Sequence, residues 1–316
     1  MTIKRLLIVT VTLAVVVAAA GFHWLFGYSQ HKQLGDKVTV LHRKNLIHQI
    51  GANVTVYADS GVLLVVDTQL KPVSSATRSK VEATFAGSIA KVVVTHWHPD
   101  HSGGISAYSG DTDIYAHENV VHRLSQAQEG FGLTKPGSHH QFKARNSDGL
   151  PNQVIGSGEP IPVGAATVAV IHYPRAHTDG DLVVFFHDAK SVAIGDLVWA
   201  QSFPYIDVHN GGTARGLEAA LQEIIDQSQP GYQFIPGHGH VMTFKAVVDH
   251  LKAINGSRLW VESHIQQGRS LAEIIDIGLP ERWSRWSSEL VPPSEWITMI
   301  YQSYPNVRSL PNTRLP

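Results

Sequence analysis

Three imidazoles and a carboxylate fall within six residues at His96-Trp97-His98-Pro99-Asp100-His101, directly after the apolar run Val92-Val93-Val94. Imidazole nitrogen and carboxylate oxygen are the donors that a borderline-soft ion such as Zn²⁺ takes. The run stands where a buried strand should end in a loop, the usual place for a site on a rigid scaffold. A chain carrying this hexad must bring further donors to the same place, and that limits its fold.

Three candidates stand at expected strand ends. His177 follows the strand Val168–Tyr173, Asp196 follows the strand Ser191–Ile194, and His238 follows a strand ending at Ile235. Each is flanked by glycine or a turn residue. His96 and His98 are two apart, so at a strand end they point the same way and can clamp one ion. Asp100 and His101 are spaced to serve a second. His139, His140, His209 and His240 are candidates to line a pocket. The remaining histidines, His122 among them, lack a ligand-like context.

Composition removes other chemistries. The 316 residues contain no cysteine, which excludes thiolate catalysis, disulfides and Cys-containing zinc sites. The net charge of −1 gives no reason to expect nucleic acid as a partner, so a small molecule is expected. Hydrophobic residues at 43% against 16% charged predict a sizeable core. Residues 1–27 read as a signal peptide or N-terminal membrane anchor. Lys4 and Arg5 precede an uncharged stretch from Leu6, with a small-residue cleavage site at Ala18–Ala20. That segment is expected to engage the membrane or the export machinery. The mature chain is then periplasmic, or anchored to the inner membrane facing outward.

Beyond it, short strands and helices alternate. Val38–His42, Ile47–Tyr57 and Val62–Asp67 predict a β-meander, and Val73–Phe85 a helix. Gly130 to Pro162 reads as one long loop of the lid or binding type. Gly216–Gln227 is a helix, and the chain is helical from Thr243 onward. Two β-rich blocks with helices predict an α/β fold of two facing mixed sheets with helices outside.

The hexad with His177, Asp196 and His238, in that order, resembles the metallo-β-lactamase superfamily, as does Leu64-Val65-Val66-Asp67-Thr68 at the end of the meander. The resemblance covers residues 36–255, leaving 256–316 as a helical C-terminal extension. It implies an αββα sandwich with two Zn²⁺ per chain at the edge between the sheets. His96, His98 and His177 would hold the first ion, Asp100, His101 and His238 the second. Asp196 would bridge them, and Asp67 would orient a ligand. It further implies a water activated as hydroxide by the metal pair and oriented by Asp100. The reaction expected is opening of a small amide or ester, β-lactams and lactones first. The alternatives are a thioester hydrolase of the hydroxyacylglutathione-hydrolase type, an iron-dependent oxidoreductase on the same fold, and a non-catalytic binding protein. The chain departs from the antibiotic-cleaving branch that uses a Cys ligand. Asp196 stands at that position, and Trp199 stands where that branch has a lysine to grip substrate. Trp199, Asn210 and Arg215 are the candidate substrate contacts, and Lys135 could also take the role of that lysine. Trp260, Trp283, Trp286 and Trp296 are expected to pack helices or an interface.

Overall fold

A computed structural model describes residues 28–43, 51–131 and 139–305. The N-terminal segment 1–27, the start of the strand expected from Ile47, and Lys135 lie outside the described residues, as do the side chains of His139 and His140. No helix among the described residues is long and apolar enough to cross a membrane.

The first sheet opens with an antiparallel meander, β1 (Tyr28–Leu34), β2 (Val38–Arg43), β3 (Val54–Asp59) and β4 (Val62–Val66). Helix α1 (Lys71–Thr84) then crosses over to β5 (Ser88–Val93), parallel to β4. Two short helices follow, α2 (Pro99–Ser102) and α3 (Ile105–Tyr108). They lead to β6 (Asp113–Ala116), parallel to β5, and α4 (Glu118–Leu124). The expected 130–162 loop is more structured than its Gly, Pro and Ser content suggested. It holds part of a hairpin, β7 (Gln128–Phe131) with β8 (His139–Phe142), then β9 (Gln153–Val154), which joins β6. It ends in β10 (Pro160–Val163). Strands of two to four residues carry too little apolar alternation to be read from sequence.

The second sheet runs β10, β11 (Ala166–Tyr173), β12 (Asp181–Phe186), β13 (Ser191–Trp199), β14 (Gln233–His238) and β15 (Met242–Thr243). Only β13 and β14 are parallel, joined through α5 (Ala214–Gln227), which Thr213 caps through its hydroxyl.

Strand alternation builds the layers. In β4, Leu64 and Val66 face the second sheet, while Leu63 and Val65 pack with Val81 of α1. In β12, Leu182, Val184 and Phe186 face the first sheet, and Val183 and Phe185 face the outer helices. Strands buried on both faces are apolar at nearly every position, as Val62–Val66 and Leu182–Phe186 are. Tyr57 and Phe186 stack across the two sheets with centroids 5.2 Å apart. Helices on both outer faces complete an αββα sandwich.

The chain continues through α6 (Phe244–Gln266), α7 (Leu271–Ile277), α8 (Glu281–Ser284) and α9 (Pro293–Ser303). Helix α6 runs through the boundary expected at 255/256. Its inner face, with Ile254 and Val261, shares one core with Phe203 and with Trp296 and Ile300 of α9. Trp296 stacks on Phe203 at 4.2 Å and donates its indole N–H to Ser257 at 2.9 Å.

Candidate metal centre

The hexad leaves β5 and turns at once. Pro99 opens α2, where its missing N–H costs nothing and its fixed φ suits a first helical position. The one-turn helix swings Asp100 and His101 away from His96 and His98. Asp67, at the end of β4, holds the turn from below. Its carboxylate accepts from the Thr95 backbone N–H at 2.8 Å and lies 2.7 Å from His101 Nδ1. The second sheet supplies the rest. β13 runs past its expected end at Ile194 because Gly195, at φ +50°, forms a bulge opposite Pro236. Asp196 therefore lies within the strand. β14 likewise extends to His238. Gly237 between them leaves room for Asp196: a Cβ there would sit 1.8 Å from Asp196 Oδ1.

The seven donors gather into two buried groups, His96, His98, His177 and Asp196, and Asp100, His101 and His238. Within each group the donor atoms lie within 4.8 Å of one another. His98 Nδ1 is 3.0 Å from both His96 Nε2 and His177 Nε2. His238 Nε2 lies 3.1 Å from Asp100 Oδ2 and 3.4 Å from Asp196 Oδ2, and Asp196 Oδ1 lies 3.1 Å from His101 Nε2. Asp196 thus touches both groups.

Tautomers decide whether this set fits a cation. His177 Nδ1 faces the Tyr205 carbonyl at 2.6 Å, and a carbonyl only accepts, so the proton sits on Nδ1 and Nε2 carries a lone pair. His98 Nε2 faces the Asp207 carboxylate at 2.9 Å, which likewise leaves Nδ1 bare. Two lone pairs 3.0 Å apart in a buried site repel unless something positive lies between them. A proton is disfavoured there. Burial, then the neighbouring His98, pushes His177 down to about 4, and burial with His101, His177 and His98 pushes His96 well below the usual range. A divalent cation is the group this arrangement fits. In the other group burial opposes charge, but carboxylates outweigh it. Asp196 and Asp100 raise His238 to about 9, and Asp196, Asp67 and Asp100 hold His101 well above its usual value. Asp196 is held well below the carboxylate range by His238 and His101 despite its burial.

A further layer was not visible in the sequence. Asp207 is fully buried and takes two bonds from the Asn210 amide, at 3.0 and 2.8 Å. Arg123 of α4 donates to Asn210 Oδ1 at 2.6 Å and grips Asp179 with Nε and Nη2. The line Arg123–Asn210–Asp207–His98 ends on a donor of the first group. Asn210 is therefore committed internally and is not free to hold substrate. Arg215 is also misplaced as a substrate contact: it pairs with Glu262 of α6 at 2.8 Å, on the outer helical layer. Trp199 packs its ring on His238 at 5.0 Å, next to the second group. His240 lines an outer groove with Trp283 and Trp286.

The sequence model of the Metallo-beta-lactamase superfamily matches residues 49–241. The hydroxyacylglutathione hydrolase of Hyphomonas neptunium is 29% identical over 155 residues, 49% of this chain and 47% of its own length. The chain thus spans about half of that relative. The acyl-coenzyme A thioesterase MBLAC2 of Bos taurus is 23% identical over 231 residues, 64% of this chain and 80% of the relative. Among solved structures, a metallo-beta-lactamase from Pontibacter korlensis superposes with a TM-score of 0.57 at 16% identity, covering 72% of this chain and 98% of that one. A double mutant of the sec-alkyl sulfatase PisA1 gives 0.63 at 15% identity, covering 89% of this chain and 51% of that one. The sequence match takes in more than half of the chain and every donor of both groups, on the sandwich that these neighbours share: the chain belongs to the metallo-β-lactamase superfamily.

Proposed function

We propose that this chain is an exported, zinc-dependent acyl hydrolase holding two Zn²⁺, one in each donor group, with Asp196 between them. The observation that carries the reading is the convergence of bare imidazole nitrogens on two carboxylates in a buried, sulfur-free site. When bound, two such ions supply Lewis acidity and bring the pKa of water toward neutrality. The protein's own groups do the rest. Asp100 holds its buried carboxylate 3.1 Å from His238, where it accepts a proton and orients the attacking water. Asp67, Asp207 and the Tyr205 carbonyl fix the ring orientations. Trp199 and Tyr205, both buried, wall the site against bulk water.

The substrate class we favour is a small amide or ester, lactones and β-lactams first. A thioester is the second reading, supported by the two relatives named as a hydroxyacylglutathione hydrolase and an acyl-coenzyme A thioesterase. The test is one panel of lactone, ester, thioester and β-lactam substrates on metal-replete protein, run beside metal analysis. Turnover abolished by a chelator and restored by zinc supports the reading. Iron in place of zinc, or turnover indifferent to chelation, sinks it. We further propose that residues 1–27 carry the chain across a membrane. The motivation is the Lys4-Arg5 flank before an uncharged stretch. Recovery of the expressed chain in a cytoplasmic fraction would count against export.

A further inference from the structure

With Asn210 and Arg215 committed elsewhere, a different cation adjoins the metal turn. A cleft of about 490 Å³ is lined by Trp97 and Pro99, the residues on either side of His98, and by Phe142, Lys143, Arg145 and Lys71. Arg145 is half-buried, and its guanidinium donates only to neutral groups, the Ser102 carbonyl at 2.5 Å and the Ser102 hydroxyl at 2.8 Å. No carboxylate pairs with it among the described residues. Burial pulls it down to about 10, the mark of a charge that has lost water without gaining an anion. Trp97 and Phe142 meet edge to face at 5.6 Å and give the cleft an apolar wall. One cleft thus offers a guanidinium with no carboxylate partner among the described residues beside an aromatic surface.

We propose that this cleft is a subsite for substrates carrying a carboxylate on an apolar body, with Arg145 as the charge partner. Lys143 and Lys71 add positive charge at the exposed mouth and outweigh the one carboxylate in the lining, Asp148, which forms no ion pair with Arg145 among the described residues. The word substrate rests on the acyl-hydrolase reading, but the binding itself does not. None of the seven donors lines the cleft, so Arg145 would hold the remote end of such a molecule and set specificity there, away from the reacting atoms.

The test uses full-length, metal-replete protein, titrated with 4-phenylbutyrate and with its neutral amide while tryptophan fluorescence is followed. The carboxylate should bind about 10-fold more tightly or better, as a charge-assisted hydrogen bond implies. Arg145→Gln should remove that preference with zinc content unchanged, and Arg145→Lys should keep part of it. Lys143→Gln, at an exposed position, should weaken carboxylate binding by about 2-fold. It serves as the second variant should Arg145→Gln fold poorly. A double change at Arg282 and Arg285, which border the outer groove, should leave the preference intact. Equal binding of acid and amide overturns the proposal. So does a preference undiminished by Arg145→Gln and by Lys143→Gln alike, which would put the carboxylate on the metals. If a substrate panel finds no turnover while the preference holds, the hydrolase reading fails and the subsite stands.

Discussion

A metal donor is only as useful as the group that fixes its other face. His98 presents Nδ1 because Asp207 accepts a hydrogen bond from Nε2–H at 2.9 Å, and Asp207 stays charged because His98 and Asn210 outweigh its burial. Asp207→Asn keeps the shape but offers an amide that can turn its N–H toward His98, favouring the wrong tautomer. Zinc affinity should fall by about 10- to 100-fold with little change in fold, read by competition with a chromophoric chelator. His98→Ala should abolish turnover and remove zinc outright, while the exposed His122→Ala should do neither. Equal loss from both would mean the donors have been misassigned. The contrast between His98 and Asp207 shows what was legible at this scale. Four donor-type residues within six positions announce themselves, because their spacing is local. Asp207 lies 109 residues from His98 in the chain, and Arg145 lies 43 from Ser102, so nothing short of the folded chain pairs them. Asn210 and Arg215 misled for the opposite reason. Each is a polar residue near the motifs in sequence, but folding committed one to Asp207 and the other to Glu262.

Elements were readable where their period was long. The strands Val62–Val66 and Asp181–Phe186 and the helix Ala214–Gln227 declared themselves through apolar pattern and capping residues. β13 and β14 were read short because Gly195 and Pro236 look like stops. Facing each other across the ladder, they form a bulge instead. The long helix α6 hides a feature that no periodicity marks. His250 is fully buried on its inner face, 4.8 Å from the Trp286 ring and 6.5 Å from Phe203, with neither ring nitrogen bonded among the described residues. Burial pushes it down to about 3. The unfolded chain takes up a proton there near pH 6.5, and the folded chain does not. The stability this depressed group contributes is therefore complete above about pH 6.5. It is lost as pH falls toward 3, by about 1.4 kcal/mol per pH unit. His250→Leu should flatten that arm by one proton relative to the parent when urea unfolding is followed between pH 7 and pH 4.5. Parallel curves for the two proteins would show that His250 finds a proton acceptor in the folded state.

At the scale of the whole molecule, the donors divide by sheet. His96, His98, Asp100 and His101 leave the first sheet, while His177, Asp196 and His238 belong to the second. An ion in either group therefore ties the two sheets at one edge. Other ties there need no metal. Asn53 donates to the carbonyls of Pro236 and Gly239, both at 2.8 Å, its backbone N–H reaches Gly237 at 2.7 Å, and Leu182 donates to Thr95 at 2.8 Å. Behind them lies the apolar layer of Leu64, Val66, Val170, Val184 and Phe186, all but closed to solvent. These two kinds of tie predict different responses to chelation. Losing an ion held at about 1,000 times its Kd removes about 4 kcal/mol for each site, which for a chain of this size lowers Tm by roughly 10 °C or more. The apolar layer, which does not depend on the ion, should keep the stripped protein folded, with its far-UV signal intact at room temperature. Because the sheets share that layer, melting should remain a single cooperative transition, with the lost Tm recovered when zinc is added back. Calorimetry of stripped and replete protein decides the matter. Two separate transitions would mean that the sheets hold together only through the metal, and no shift at all would mean that the buried donors bind none.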